Sequence, residues 1–332
     1  MSNKKDIDLL GIGNAITDIL VQVDYQFIEK MKFNIGTMQL TDYETINKTI
    51  NLFNDRKVSA GGSVANTVSM VSSLGDSCAF IGRRKNDAQG KLFSKSMLAS
   101  NIILPNSEAD RGDPSSTCLV MITPNGERTM LTYLGASTSL TEDDVDLSLL
   151  EKAKIVYVEG YLFDLPEAKK LFYNIADKQK ELGFELALSL SDPFCVNRHK
   201  EDFLKLLDKK IKIVFSNQEE IETLHSCSVE KALLNSSDKV FINISTLGEK
   251  GAMVYSSGNL IKKDSFSVEV KDTTGAGDSF AAGFLHGYIN NFPLDKCTEV
   301  GNFCASETVK VIGARPEINI KELLLKNNIL EN

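Results

Sequence analysis

The 332-residue sequence predicts an α/β protein with a central, mostly parallel β-sheet and a smaller β-sheet beside it. Short apolar runs alternate with amphipathic helical stretches, which is typical of a parallel sheet with helices on its faces. Two other stretches alternate apolar and polar side chains, as the strands of a half-buried sheet do. Because no low-complexity tract, internal repeat or Pro-rich linker divides the chain, we expect one domain over residues 1–332.

Strands of the main sheet are predicted where short apolar runs are bounded by turn residues. They are Ile7–Gly13, Cys78–Gly82, Ile155–Val158, Glu185–Leu190, Ile213–Ser216 and Val240–Ile244. Helices are predicted where apolar residues recur with helical spacing. They are Tyr43–Phe53, Val64–Leu74, Gln89–Ser100, Pro166–Leu182, Lys200–Leu207, Gln218–Leu224 and Asp278–Ile289. Ser63 and Asp278 stand near the starts of two of these helices, where side-chain capping is expected.

The smaller sheet is predicted from Ile19–Asp24 and from parts of Cys118–Leu134, around a turn at Pro124-Asn125-Gly126. Strict alternation indicates strands with one buried face and one free face. We expect this sheet to stand off the main body, roughly from residues 16–60 and 112–137, and to act as a lid that excludes water. Edge strands of the main sheet are the alternative.

Composition argues against several functional classes. The 37 basic and 45 acidic residues give a net charge of −8, which disfavours general nucleic-acid binding. No apolar run is long enough to span a bilayer, and Met1–Asp6 leads into a strand without a signal-peptide core, so we expect a cytoplasmic protein without a membrane partner. The six cysteines form no Cys-x-x-Cys pair and are expected to be reduced and mostly buried, while three histidines make a His-rich metal site improbable.

The stretch Asp272-Thr273-Thr274-Gly275-Ala276-Gly277-Asp278 directly precedes an apolar helical pattern. Its glycines permit a close approach of the backbone to a ligand, and a helix start favours an anion. A carboxylate at Asp278 would repel a phosphate, so its position needs a reason. Accepting the proton of an attacking hydroxyl during phosphoryl transfer is such a reason, and a plain capped helix is the alternative.

A second Gly-rich stretch, Ala60-Gly61-Gly62-Ser63-Val64-Ala65-Asn66, also precedes a helix. Asn66 lies one turn into that helix, where its amide can hold hydroxyl groups as donor and acceptor. A simple turn and cap is the alternative. The spacing of Gly61, Ser63 and Ala65 approaches that of a serine-hydrolase nucleophile elbow, but the three histidines of the chain make a matching base improbable.

The run Gly13-Asn14-Ala15-Ile16-Thr17-Asp18 follows the first predicted strand. Ligands of open α/β sheets bind at the carboxyl ends of the strands. There, Asp18 could accept hydrogen bonds from two vicinal hydroxyls, as on a ribose, or be a solvated turn residue. The run lacks the third glycine of a dinucleotide-binding fingerprint.

Three further features have two readings each. Asn217 and Glu220 have the spacing of a capping box, and they could also order the waters of a Mg²⁺ that accompanies a nucleoside triphosphate. The glycines of Thr246–Gly251 either admit a nucleotide or form a hairpin. Arg128 is either a bidentate donor to a phosphoryl group or a solvated surface residue. No P-loop consensus occurs in the chain.

Asp272–Asp278, Ala60–Asn66 and Asn217–Glu220 together resemble, in order and separation, the ribokinase/adenosine kinase (pfkB) family of carbohydrate and nucleoside kinases. The resemblance extends from about Ile7 to Pro316, and within the family it is strongest to bacterial adenosine kinases. It implies a three-layer α/β/α body with a small β lid, and ATP- and Mg²⁺-dependent phosphorylation of the 5′-hydroxyl of adenosine. A kinase of ribose, fructose or a related sugar is the alternative, and an inactive nucleoside-binding protein is a remote one, against which an intact Asp278 argues.

The resemblance also assigns site residues by position. Asp278 would be the catalytic base, Gly275, Ala276 and Gly277 the anion hole, and Arg128 a lid arginine that contacts phosphate. The acceptor would contact Asn14, Asp18, Gly61, Gly62, Ser63 and Asn66. Phe194 would lie beside the nucleoside base, unless it is packed in the core, with a second base contact at Tyr161 or Leu162. The nucleotide would contact Asn217, Thr246, Gly248, Gly251, Gly275, Gly277 and Asn302, and Glu220 would bind Mg²⁺ through water. We expect a monomer or homodimer, and the sequence leaves open whether a monovalent cation supports the anion hole.

Overall fold

The computed structural model describes residues 5–330, so most of the N-terminal stretch examined for a signal peptide lies outside the described residues. The strands are β1 (Ile7–Ile12), β2 (Ile16–Gln22), β3 (Met38–Leu40), β4 (Lys57–Gly61), β5 (Cys78–Ile81), β6 (Ser116–Ile122), β7 (Arg128–Tyr133), β8 (Ala153–Glu159), β9 (Glu185–Ser189), β10 (Ile211–Asn217), β11 (Val240–Thr246), β12 (Ala252–Ser256) and β13 (Asn259–Lys263). The α-helices are α1 (Tyr25–Met31), α2 (Tyr43–Ile50), α3 (Ser63–Leu74), α4 (Ala88–Ala99), α5 (Leu147–Lys152), α6 (Pro166–Leu182), α7 (Pro193–Arg198), α8 (Lys200–Leu207), α9 (Gln218–His225), α10 (Val229–Asn235), α11 (Ala276–Ile289), α12 (Leu294–Thr308) and α13 (Ile320–Lys326).

The main sheet has the strand order β13-β12-β11-β10-β9-β8-β1-β5. The strands from β11 to β5 run parallel, and β12 and β13 continue the sheet antiparallel at one edge. Along β8, Ile155 and Tyr157 face one hydrophobic core while Val156 and Val158 face the other. Helices α3, α4, α11, α12 and α13 build the first core, and α5 to α10 build the second. The predicted three-layer α/β/α body with a mostly parallel sheet is confirmed.

The smaller sheet has the order β3-β7-β6-β2-β4. Helices α1 and α2 cover one face, where Ile28 and Ile46 pack with Ile19 and Leu119. The opposite face carries Ile16, Asp18 and Leu20 of β2, and Arg128 of β7. This second face is less free than alternation suggested, because every residue of the central strand β6 is buried and α4 packs against β2, β4 and β6.

Two local expectations need correction. Asp18 does not lie in the turn after the first strand: it lies within β2, paired with Ser59 and Cys118, because residues 13–15 alone make the connection from the main sheet. Ser63 is not a helix cap. The N-cap of α3 is Gly62, with φ of 96°, and no side chain caps this helix, so the Ser63 hydroxyl is available to another partner.

Two bulk properties bear on the expectations from composition. All six cysteines are free, and five of them are buried, as predicted from their scattered positions. Between residues 5 and 330, no helix has both the length and the apolar composition that a membrane crossing requires.

Candidate active site

Asp278 lies in the first turn of α11, opposite the first turn of α3. Its carboxylate accepts hydrogen bonds from Ser63 Oγ at 2.6 Å and from Asn66 Nδ2 at 3.0 Å. The Thr67 hydroxyl donates to the backbone carbonyl of Asp278 at 3.1 Å. Burial raises the pKa of Asp278, and the bonds from Ser63 and Asn66 lower it. The two Gly-rich stretches of the sequence therefore meet at one carboxylate.

The backbone around Gly275 requires glycine. Gly275 is the N-cap of α11 with φ of 75°, and a Cβ there would lie 2.6 Å from the Ala314 side chain. A Cβ on Gly277 would meet nothing within 4 Å, so the helix start is open on that side. The first N–H groups of a helix have no intrahelical partner, and with the helix dipole they favour an anion. An anion bound here would lie beside Asp278.

Asp272 connects the motif to the smaller sheet. Its carboxylate accepts hydrogen bonds from the backbone N–H groups of Thr274 at 3.0 Å and Gly313 at 2.7 Å. It also forms an ion pair with Arg128 of β7. The Arg128 side chain is 8% exposed, so the reading as a solvated surface arginine is wrong. Among the described residues, its Nε has no hydrogen-bond partner.

Asp18 projects from β2 toward the same region. A Cβ on Gly61 would overlap the Asp18 carboxylate, and a Cβ on Gly62 would overlap the Asn14 carbonyl oxygen. The paired glycines therefore let the chain pass close to Asp18 and to the β1–β2 connection. Burial raises the pKa of Asp18 to about 6, while Arg315 and Arg128 act to lower it.

Glu159, at the end of β8, is a buried carboxylate that the sequence interpretation missed. It is 0% exposed and accepts hydrogen bonds from the backbone and side-chain N–H groups of Asn14 at 2.8 and 2.6 Å. It also accepts from the backbone N–H of Val64 at 3.0 Å. Burial raises the pKa of Glu159 to about 7. A lone acidic residue at the carboxyl end of an apolar strand was the available signal.

Arg315, in the segment between α12 and α13, is a second missed residue. Its Nε donates to Asn66 Oδ1 at 2.9 Å. Burial lowers the pKa of Arg315 to about 10, and the charges of Asp18 and Asp278 act to raise it. Arg315 follows the stretch Ile312–Ala314, which has no periodic pattern, so only the fold brings it to Asn66.

The three residues predicted to contact the base differ in their exposure to solvent. Phe194, the second residue of α7, is 73% exposed, so its alternative reading as core packing is wrong. Leu162 is 1% exposed and belongs to the core, whereas Tyr161 is 40% exposed. Burial raises the pKa of the Tyr161 hydroxyl, and the charges of Asp192 and Asp278 raise it further. Of the two alternatives, Tyr161 is the one available to a ligand.

Asn217 and Glu220 form a capping box at the start of α9. Asn217 accepts from the Glu220 N–H at 2.8 Å, and the Glu220 carboxylate accepts from the Asn217 backbone and side-chain N–H groups at 2.9 and 2.7 Å. Glu220 is 5% exposed, and burial raises its pKa to about 7. Helix capping by itself therefore accounts for the spacing of Asn217 and Glu220.

Residues 5–330 contain no group of three or more His, Cys, Asp or Glu side chains that could hold a metal. Mg²⁺ that accompanies a nucleotide keeps several waters and needs only one or two carboxylates, so Glu220 fits such an ion through water.

The remaining predicted nucleotide contacts surround the β11–β12 hairpin. Thr246 ends β11, and the Leu247 N–H donates to the Gly251 carbonyl at 2.8 Å, which closes the hairpin. Gly251 has φ of 83°, and a Cβ there would overlap the Lys263 carbonyl, while Gly248 faces open space. The Asn302 amide donates to the carbonyls of Lys263 and Asp264 at 3.2 and 3.0 Å, so it supports the segment after β13.

Comparisons with known proteins agree that the similar proteins are kinases. Residues 31–321 match the family described as "pfkB family carbohydrate kinase". The chain is 32% identical to a structure described as a "probable sugar kinase protein" from Rhizobium etli CFN 42, with a TM-score of 0.90 over 98% of this chain and 100% of that one. It is 33% identical to the adenosine kinase from Sinorhizobium meliloti, with a TM-score of 0.89 over 97% and 99%. It is 28% identical to "Probable fructokinase-6, chloroplastic" of Arabidopsis thaliana, over 80% of this chain and 73% of that protein. These names divide between nucleoside and sugar acceptors.

Proposed function

Because the chain belongs to the pfkB family of carbohydrate kinases, we propose that it transfers the γ-phosphoryl group of ATP to the 5′-hydroxyl of adenosine and releases AMP and ADP. The observation that carries the phosphotransfer is Asp278, held by Ser63 and Asn66 beside an open helix start. The observation that favours adenosine is the exposed ring of Phe194, which follows β9 at the same sheet edge.

Asp278 would act as the general base. Its carboxylate accepts the proton of the 5′-hydroxyl while that oxygen forms the new bond to the γ-phosphorus and the bond to the β-phosphate oxygen breaks. Ser63 and Asn66 hold the carboxylate in place through its two oxygens. Its raised pKa increases its strength as a base near neutral pH.

The phosphates would be held by the start of α11. The backbone N–H groups of Gly275 and Gly277 would face the transferring group, whereas the Ala276 N–H, which donates to the Thr273 carbonyl at 3.2 Å, would have to exchange that partner to complete the anion hole. Arg128 would leave or share Asp272 to add a charged donor from the smaller sheet. Mg²⁺ bound with the nucleotide would neutralise phosphate charge, with Glu220 touching its waters and Asn217, Thr246, Gly248, Gly251 and Asn302 bordering the nucleotide.

The acceptor would lie between the two sheets. Asn14, Asp18, Gly61, Gly62 and Asn66 would hold the ribose hydroxyls, and Asp18 can accept two hydrogen bonds from a vicinal diol. Phe194 and Tyr161 offer rings for the base, and a stacked base could add about 1–3 kcal/mol of binding. We also propose that residues 16–60 and 112–137 form a lid within a single kinase domain, and that it closes to exclude water.

A sugar kinase is the second candidate. The likeness to a probable sugar kinase is as strong as the likeness to an adenosine kinase, at 32% and 33% identity. In addition, within residues 5–330, no aromatic ring packs against Phe194. A purine stacked on Phe194 would therefore depend on Tyr161 for a second aromatic contact, whereas a sugar needs neither ring.

The deciding experiment measures ADP release with adenosine, inosine, ribose and fructose, each under saturating ATP and Mg²⁺. We expect adenosine to have the highest kcat/KM and mass spectrometry to identify AMP as the product. The Asp278→Asn variant purified in parallel controls for contaminating kinases. If ribose or fructose outperforms adenosine in direct competition, the sugar-kinase proposal replaces this one.

A further inference from the structure

The side-chain amide of Asn66 is fixed from both ends. Arg315 Nε donates to its Oδ1 at 2.9 Å, and its Nδ2 donates to Asp278 Oδ2 at 3.0 Å. A guanidinium has only donors, and an ionised carboxylate has only acceptors. One amide orientation alone satisfies both neighbours, so Arg315 and Asp278 select the same orientation of Asn66. Without Arg315, the amide oxygen would lose its donor and the amide would be held by the bond to Asp278 alone.

Arg315 also supplies charge where two carboxylates face one site. Asp18 comes from β2 of the smaller sheet and Asp278 from α11 of the body, and the charge of Asp278 acts to raise the pKa of Asp18, while Arg315 and Arg128 of β7 act to lower it. Several groups interact electrostatically with Asp278: Asp18 from β2, Tyr157 and Glu159 from β8, Tyr161 after β8, Glu220 from α9, and Arg315. Of these, Arg315 is the cation.

We propose that Arg315 is a positioning residue for phosphotransfer: it orients the Asn66 amide that holds Asp278, and it places a positive charge directly behind that amide. The inference rests on the proposed role of Asp278 as base, and it is independent of which acceptor is used. A purely structural role is the competing explanation, because both Nη atoms of Arg315 also contact Met97 Sδ at 3.5 Å and could simply anchor the loop to α4.

Titration of the ligand-free protein separates the two roles without any enzymatic assay. Carboxyl ¹³C NMR, assigned with Asp278→Asn and Asp18→Asn, would follow both groups in the wild type, Arg315→Gln and Arg315→Lys. We expect the glutamine variant to raise both pKa values by about one unit, since a nearby opposite charge shifts a carboxyl by roughly that amount or more. In Arg315→Lys, which keeps the positive charge, both pKa values should differ from those of the wild type by less than half of that amount.

Lys239→Gln is the matched control. It removes one positive charge at the amino end of β11, where Lys239 pairs with Asp208 at 2.7 Å, away from the carboxyl ends that build the site. Neither aspartate should shift in this variant. Unchanged titration of both aspartates in folded Arg315→Gln would overturn the charge role. If Arg315→Gln does not fold, Arg315→Lys decides. Wild-type titration of both aspartates together with a wild-type kcat in Arg315→Lys would overturn the orienting role. Wild-type titration with a reduced kcat in Arg315→Lys would support it.

A double-mutant cycle tests the path through Asn66. The cycle uses Arg315→Gln, Asn66→Ala and the double variant, assayed with whichever acceptor the wild type phosphorylates. If Arg315 acts by orienting Asn66, its substitution should lower kcat at least several-fold in the wild type and far less in the Asn66→Ala background. Equal losses in both backgrounds would overturn the proposal. Absence of adenosine turnover would contradict the proposed acceptor, but the NMR result would still stand for Arg315.

Discussion

Four acidic side chains lie around the candidate site; burial raises the pKa of each, and the charge of Asp278 raises the pKa of the other three further. They are Asp18, Glu159, Glu220 and Asp278. Each is held by hydrogen-bond donors or lies near a cation, as Asp278 is held by Ser63 and Asn66. Carboxylates in such surroundings are typical of sites that move protons, and substitution of individual residues tests which of the four does so here.

Asp278→Asn should lower kcat by about 10²–10⁴-fold, because the amide cannot accept the proton of the attacking hydroxyl. Its shape is close to that of the carboxylate, so we expect the circular dichroism spectrum to match the wild type. Steady-state ADP release under saturating substrates is the measurement, with the exposed Asp295→Asn as control. A wild-type kcat in the Asp278 variant would contradict its role as base.

Gly61→Ala should weaken acceptor binding by roughly tenfold to a hundredfold while leaving ATP binding nearly unchanged. A Cβ on Gly61 would overlap the Asp18 carboxylate, and its displacement removes charge-assisted hydrogen bonds to the acceptor. Titration calorimetry measures both affinities. Lys57→Ala in the same strand, whose ion pair with Glu317 is exposed, is the control. Unaltered acceptor affinity in folded Gly61→Ala would exclude Asp18 from acceptor binding.

At the level of elements, the side chain of Arg128 connects the smaller sheet to the Asp272–Asp278 motif. Arg128, the first residue of β7, pairs with Asp272, which also binds the backbone of Thr274 and Gly313. The alternation of β7 places Arg128 and Met130 on one face, the face that also carries Asp18. A movement of this sheet would therefore carry Arg128 and Asp18 toward or away from the start of α11 together.

Hydrogen exchange should report this movement. We expect exchange in Cys118–Leu134 to slow when the acceptor is added, because closure stabilises β6 and β7 against the local opening through which their amides exchange. Arg128→Gln should speed exchange in the same segment, since the ion pair with Asp272 is lost. Mass spectrometry measures both, and α6 on the far layer is the internal reference. No change in protection at saturating acceptor would argue against a moving lid.

For the whole molecule, the buried carboxylates connect site chemistry to stability. Glu159 and Glu220 each have a pKa of about 7 in the folded protein, against an ordinary value of 4.5. The folded state therefore binds protons more tightly than the unfolded chain at these positions, and stability is lost as pH rises through that interval. His225, whose pKa burial lowers, has the opposite effect below its ordinary value of 6.5.

The stability that Glu159 and Glu220 contribute should therefore be lost as pH rises from about 4.5 to about 7. Urea denaturation of the ligand-free protein at a series of pH values measures the free energy of unfolding. Relative to the wild type, Glu220→Gln should lose less of this free energy as pH rises over that interval, because it removes one of the groups with a raised pKa, whereas the exposed Glu167→Gln should leave the pH dependence unchanged. The same pH dependence in Glu220→Gln and in the wild type would contradict the raised pKa of Glu220.

Local patterns were enough to predict the elements whose environment is uniform. Strands buried on both faces, such as β1 and β5, read as continuous apolar runs, and Pro166–Leu182 was predicted with both of its ends. Helix α12 was missed because it buries polar residues, among them Thr298, Asn302 and Glu307, so its apolar spacing is interrupted. Neighbouring elements bury those residues, and the sequence of the helix does not indicate which elements pack against it.

The same contrast holds for the site. The sequence by itself determined the Asp272–Asp278 motif, its helix and the family it indicates, because a turn, a helix start and a carboxylate are adjacent along the chain. Only the tertiary structure decided which groups meet there. Ser63 and Asp278 are 215 residues apart in sequence, and Asn66 and Arg315 are 249 apart. Such contacts depend on the order in which strands join the sheets, and periodicity, which describes neighbours along the chain, carries no information about that order.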